Sequence, residues 1–356
     1  MKKRHAGVAL ALAALAATAF VIYRWRTYGF NWRQFIGTMS GADPGWMAVS
    51  LVLILTTYVG RALRWEVMLR PLTQKARLLP ILSATCIGFA AVVLFGRAGE
   101  PVRPFLISRR SQVPFSSQVA SWVVERILDL LMILVIFGIA LTQVHQSSIP
   151  PSPRLQTFLR AAGGMAGIIG LISLALLLGL RQFHGRVQAR LLDALSFLPE
   201  RTTTRIRTFL QAFAQGMQST RRKSFAAELL VYTAAEWAII AASFYCLLRA
   251  TPATSHLDFT DAIIVLGFVS LGSVVQIPGV GGGIQIVTVL VLTEFYGLGL
   301  EEASGVALLW WVVGFMTIIP VGLILAFHEG IKWRNLKNIG PMDSSDMGTP
   351  DIHAQT

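Results

Sequence analysis

Charged residues inside apolar runs are where this sequence could do chemistry. Glu125, Arg126 and Asp129 stand within the apolar run Ser117–Leu141, and Glu125 and Asp129 are one helical turn apart on one face. Charge at membrane depth is costly and normally faces a partner or a cavity. Upstream, Gly96-Arg97-Ala98-Gly99-Glu100-Pro101-Val102-Arg103-Pro104 sets two arginines around one glutamate on a backbone that Gly and Pro make irregular. The planar fork of arginine suits phosphate oxygens. Arg97, Glu100 and Arg103 therefore read as a site for a lipid phosphodiester, or as a loop anchored by an Arg–Glu pair. Glu125 and Asp129 could join Arg97 or Arg103 in one polar cluster with Arg126, or form a structural ion network. No nucleophile or metal-ligand spacing accompanies these carboxylates, so neither hydrolytic acid–base chemistry nor a metal or cofactor is expected.

Two further features carry chemical potential. Pro278-Gly279-Val280-Gly281-Gly282-Gly283-Ile284-Gln285 interrupts a long apolar stretch. Irregular backbone at membrane depth is tolerated where protein or a wet cavity covers it. Amides exposed at a helix start can hold an anion; a hinge is the alternative. No strand precedes this segment and no Lys-Ser/Thr follows, which excludes a nucleotide phosphate loop. Glu236 stands in the apolar run Phe225–Leu248, either as an ion or proton site or paired with a basic residue not identifiable from sequence.

The elements that must position these residues follow from hydropathy. The chain has 356 residues, 54% of them hydrophobic and only 14% charged. A soluble domain carries about 25% charge, so this is a membrane chain. The net charge of +13 sits mostly in segments between apolar runs, where cations set topology and meet anionic inner-leaflet lipids rather than nucleic acid. Cys86 and Cys246 lie in apolar runs and offer no disulfide framework. The fold class expected is all-α, a polytopic helical bundle of about six full spans with two re-entrant or broken segments. The spans are Ala6–Tyr23, Trp46–Gly60, Ser117–Leu141, Ala161–Leu180, Phe225–Leu248 and Ala303–Phe327. Ala6–Tyr23 reads as a retained helix, a cleaved signal being the alternative. Pro80–Phe95, about 16 residues, would reach only about 24 Å as a helix, short of a hydrocarbon core of about 30 Å. Ala262–Phe295 is broken at its glycine turn.

Charge bias orients these spans. It puts both termini in the cytoplasm and Arg61, Arg64, Arg70, Lys75 and Arg77 in one cytoplasmic loop. Pro80–Phe95 then dips in from the cytoplasmic side, and the broken pair dips in from outside. The two halves become inverted images, a pattern typical of secondary transporters, on topology alone. Within residues 181–224, Ile206, Phe209, Leu210, Phe213 and Met217 form one apolar helical face, lying on the inner leaflet or on the protein itself. Residues 1–337 make one integral membrane domain, and residues 338–356 a polar tail expected to be disordered.

Taken together, Arg61-Ala62-Leu63-Arg64-Trp65, Arg97-Ala98-Gly99-Glu100 with Arg103, Glu125-Arg126 with Asp129, and the Pro278-Gly279 turn resemble the transmembrane region of lysylphosphatidylglycerol synthases, a flippase-like domain, from about Trp46 to Lys332. The turn departs from the family pattern, with Val280 and Gln285 where a glycine and a glutamate are usual. The resemblance implies movement of a polar-headed lipid, a phospholipid or a polyprenyl-phosphate intermediate, between leaflets of a bacterial inner membrane. Arg97, Glu100, Arg103, Glu125, Arg126 and Asp129 would hold the headgroup, with the Gly279–Gly283 turn facing them. The soluble aminoacyl-transferase domain of the full-length synthases is not expected in this chain. A membrane-embedded lipid-modifying enzyme, or an accessory partner of one, is the rival reading.

Overall fold

The computed structural model describes residues 30–74, 76–146, 153–181, 200–217, 223–273, 276–277 and 281–330. The expected spans Ala6–Tyr23 and the tail 338–356 lie outside the described residues. The described part is helical, and six of its helices are long and apolar enough to cross a membrane. A short helix α1 (Trp32–Ser40) starts at Asn31, whose side chain accepts from the amides of Arg33 and Gln34. Helix α2 (Pro44–Leu69) starts at Asp43, whose carboxylate accepts from the amides of Gly45 and Trp46, with Pro44 in the first turn.

Here the structure corrects the sequence reading. Helix α2 does not stop at Gly60 but runs on to Leu69, so Arg61 and Arg64 are inside it rather than in a loop. The charge rule miscounted them because each is paired with a carboxylate from another helix.

Helix α3 (Leu78–Phe95), a 3-10 turn (Gly96–Gly99) and α4 (Val102–Ser111) form a helical hairpin. By length and composition Leu78–Gly99 would suffice to cross a membrane. Yet α4 runs back along α3. Gly99 packs on Ala91 and Gly88 on Arg103. At the open end, Arg110 Nη1 donates to the Pro80 carbonyl at 2.5 Å. Both ends of the segment therefore lie at one level, as the re-entrant reading requires. Helix α5 (Phe115–Gln146) follows, then α6 (Pro153–Arg181) and α7 (Glu200–Gly216). The end of α7 packs on α5: Met217 is fully buried, and a side chain at Gly216 would strike the Ser117 carbonyl. Of the two readings for this amphipathic segment, packing on the protein holds at this end, while Phe209 stays exposed.

The second half repeats the first. Helix α8 (Lys223–Ala250) leads to a hairpin of α9 (Phe259–Gly272) and α10 (Gly283–Tyr296). Reciprocal bonds between Asp258 and Asp261 cap the start of α9. The Tyr296 hydroxyl at the end of α10 donates to Asp261 at 3.1 Å, so this hairpin too opens at one level. At its tip, strands β1 (Gln276–Ile277) and β2 (Gly281–Gly282) pair antiparallel across the expected unwound turn. Gly282 has φ 131°, a conformation that L side chains rarely adopt. Helix α11 (Leu300–Trp311), a π-helical turn (Val312–Met316) and α12 (Ile318–His328) complete the described chain.

The pairing is symmetric. Each hairpin's first arm packs on a helix that follows the other hairpin, α3 on α12 and α9 on α5. Helices α2 and α8 pack on each other antiparallel: Asp43 meets Ala250, Ser50 meets Ser243, and Arg70 meets Glu228. The same order of elements therefore recurs in opposite orientation, as the inverted-repeat reading expects. Two apolar cores flank this seam. One joins Phe137, Phe268, Leu292 and Trp310; the other joins Trp65, Met68, Ile87, Ile107 and Val124.

Candidate functional site

Four helices of the second core converge on charge. Arg64 of α2 is fully buried and forks between two carboxylates of α5, with Nη2 donating to Glu125 at 2.6 Å and Nη1 to Asp129 at 2.7 Å. Arg64 Nη1 also donates to the Thr233 hydroxyl of α8 at 3.2 Å. One turn back along α2, Arg61 pairs with Glu236 of α8 at 2.8 Å, and Glu236 lies 3.6 Å from Arg64. From α4, Arg103 Nη1 donates to both oxygens of Glu125 at 3.0 Å, and its Nη2 donates to the Arg61 carbonyl. Arg126 closes the group on Asp129 at 3.1 Å. Four arginines face three carboxylates, so the network carries a net charge of +1.

Its depth follows from helix geometry. Glu125 lies about ten residues into α5, about 15 Å along the axis at 1.5 Å per residue. Glu125 and Arg64 are inaccessible, whereas the side chains of Arg61 and Arg126 are 18% and 42% exposed. The network is closed on one side and open at its two outer arginines. Aromatic rings wall it: Arg103 lies 4.0 Å over Trp65, and Arg61 lies 4.3 Å from Phe89. Trp65 Nε1 donates to Gln118 at 2.8 Å, which fixes the ring under Arg103. Close helix approach makes this possible, since a Cβ at Gly88 would lie 2.5 Å from that of Arg103.

The satisfaction is incomplete. Nε of Arg64, Nε of Arg103 and Oε2 of Glu236 are buried without a hydrogen-bond partner among the described residues. Unpaired groups in a low dielectric are costly. The buried part of the network therefore has spare donors, and its one excess cation is the exposed Arg126.

Of the residues expected from sequence, the structure brings together Arg103, Glu125, Arg126 and Asp129. Glu236 joins them rather than standing alone, as the paired reading had it. Arg97 and Glu100 lie at the tip of the first hairpin, in the turn before α4, with Arg97 exposed. Arg103, near the start of α4, reaches Glu125 of α5. In the second hairpin, Gly281, Gly282 and Gly283 occupy the turn, and Gln285 accepts from the Gly282 amide at 2.7 Å. Gln285 thus satisfies the start of α10. Pro278 and Gly279 lie outside the described residues. Sequence reasoning missed Arg61, Arg64 and Thr233. The signal was present: Arg61 and Arg64 are three apart, on one face, and Val67-Met68-Leu69 continue the apolar run beyond them. Among the described residues no group of three or more His, Cys, Asp and Glu could hold a metal.

Comparison with known proteins gives two findings. The family described as Lysylphosphatidylglycerol synthase TM region matches residues 6–322. Glycosyltransferase AglD of Haloferax volcanii is 29% identical over 137 residues, 38% of this chain. The match spans only 21% of that relative's length. No solved structure matches the chain.

Proposed function

Since the chain belongs to the lysylphosphatidylglycerol synthase TM region family, we propose that it moves a polar-headed, phosphate-containing lipid between the leaflets of a bacterial inner membrane, with both termini in the cytoplasm. The observation that carries this reading is the intramembrane arginine–carboxylate network, whose one excess cation, Arg126, is its exposed member. Intramembrane charge is retained where it serves a polar pathway. A phosphodiester brings one negative charge and would neutralise the excess, and guanidinium forks bind it well.

Arg61 and Arg126, the two partly exposed members, receive the phosphate first. Exchange with Glu236 or Asp129 then passes it toward Arg64 and Arg103, while the acyl chains stay in the bilayer. Trp65 and Phe89 keep the arginines in place when a carboxylate lets go. The two inverted hairpins supply elements able to open on opposite sides, as inverted repeats do in secondary transporters. Arg97 and Glu100, at the tip of the first hairpin, line the exit of this path.

The test is transfer of fluorescent phosphatidylglycerol in proteoliposomes, with wild type against Arg103→Ala. Wild type accelerates transfer above the protein-free rate, and the variant loses most of that gain. Equal rates, both at the protein-free level, would remove the proposal.

A second reading is favoured by one finding, the partial likeness to a protein named a glycosyltransferase. In it the chain is the membrane unit beside a lipid-modifying enzyme, or is itself such an enzyme, and the ion network only holds four helices together. It predicts that network variants which fold normally keep full function.

A further inference from the structure

We infer that the chain has a second lipid site, separate from the central network: an interfacial groove at the base of the first hairpin that takes the phosphate of an anionic phospholipid by exchanging it for the carboxylate of Glu329. The groove has a volume of about 640 Å³ and lies between the start of α3, the end of α4 and the end of α12. Leu79, Leu82 and Leu325 make its apolar wall, and Leu79 is 76% exposed.

Its polar end is built for an oxyanion. Ser83 Oγ donates to one oxygen of Glu329 at 2.6 Å, Arg110 Nη2 donates to the other, and Arg110 Nη1 donates to the Pro80 carbonyl. Ser83 is buried, and a guanidinium fork beside a hydroxyl is the donor set that phosphate uses. In this conformation Glu329 fills the cradle from within the chain. It can leave cheaply: it follows the last residue of α12, and Gly330 at φ 66° turns the chain away. No helix need unwind to free Arg110.

Charge and wall together identify the occupant. Arg77 and Arg109 are exposed at the same end, so Arg110 sits on a cationic rim. Such a rim attracts anionic headgroups. A free phosphate would satisfy the donors but gain nothing from the leucine wall, whereas a phospholipid uses both. The site does not depend on transport, because it would hold a lipid whether or not the network moves one.

The test uses the purified, delipidated full chain in detergent, with bound lipid counted by native mass spectrometry. The probes are phosphatidylglycerol, phosphatidylcholine and inorganic phosphate. Wild type retains phosphatidylglycerol in preference to phosphatidylcholine, and inorganic phosphate does not displace it. Glu329→Gln removes the competing carboxylate, keeps every donor, and tightens binding about threefold or more. Arg110→Gln weakens it about tenfold, some 1.4 kcal/mol. Phosphatidylglycerol affinity indifferent to both groove variants would overturn the proposal. So would loss of binding in Arg103→Ala alone, which would place the lipid at the network. Displacement by inorganic phosphate would mark a simple anion site and remove the lipid assignment.

Discussion

Glu125 joins Arg64 to Arg103, and replacing it by glutamine gives the sharpest prediction. The carboxylate touches Arg64 at 2.6 Å and Arg103 at 3.0 Å through both oxygens. At an effective dielectric of about 20, two unit charges about 3 Å apart attract by roughly 5 kcal/mol. Desolvation offsets much of that, and removing one partner of a buried pair costs about 3–5 kcal/mol because the other charge is stranded. Glu125→Gln strands two arginines and raises the network from +1 to about +2, although glutamine keeps the volume and one acceptor. The expected loss is about 3 kcal/mol in reversible unfolding from mixed micelles. The double variant Glu125→Gln/Arg103→Gln restores the charge balance. It should be more stable than the sum of the single changes by about 1.5 kcal/mol, a coupling within the range for groups in contact. A single-variant loss below about 0.5 kcal/mol with no coupling would refute the reasoning, because the arginines would then be solvated by something other than Glu125.

Three further outcomes follow from the same geometry. Gly88→Val forces α4 away from α3, since even a Cβ there would lie 2.5 Å from that of Arg103; overpacking of about 1–3 kcal/mol should appear in unfolding, together with lost lipid transfer. Trp65→Phe keeps the ring under Arg103 but removes the 2.8 Å bond to Gln118; a loss of about 1–3 kcal/mol is expected from the buried acceptor left behind, with transfer partly retained. Gly282→Ala meets φ 131° and should cost about 1–3 kcal/mol, read as earlier proteolysis at the second hairpin rather than as loss of the network.

The membrane class and the broken segments were legible because hydropathy is a sum over many residues, and Gly279–Gly283 interrupts it unmistakably. Asp129 and Glu125 were legible as a pair because a helix puts i and i+4 together. Arg61 and Arg64 were not, because charge counting treats every cation as solvated, and it cannot see that Glu236, Glu125 and Asp129 reach them from α8 and α5. Arg97 and Glu100 were grouped with Arg103 by nearness in sequence. Arg103 meets Glu125 because α4 returns along α3, with contacts at Gly88 and Gly99. No local pattern encodes that return; it is decided by tertiary packing between small residues. The groove at Glu329 was invisible for a similar reason, since Ser83, Arg110 and Glu329 lie far apart in the chain.

The most direct test of the central claim is a cryo-EM map of the chain in lipid nanodiscs containing phosphatidylglycerol. The account predicts a lipid phosphate within hydrogen-bond distance of Arg61 or Arg126, below the headgroup plane, with at least one network carboxylate displaced. Phosphates confined to the two bilayer surfaces, with Arg61, Arg64, Arg103 and Arg126 still closed on their own carboxylates in every class of particle, would contradict it.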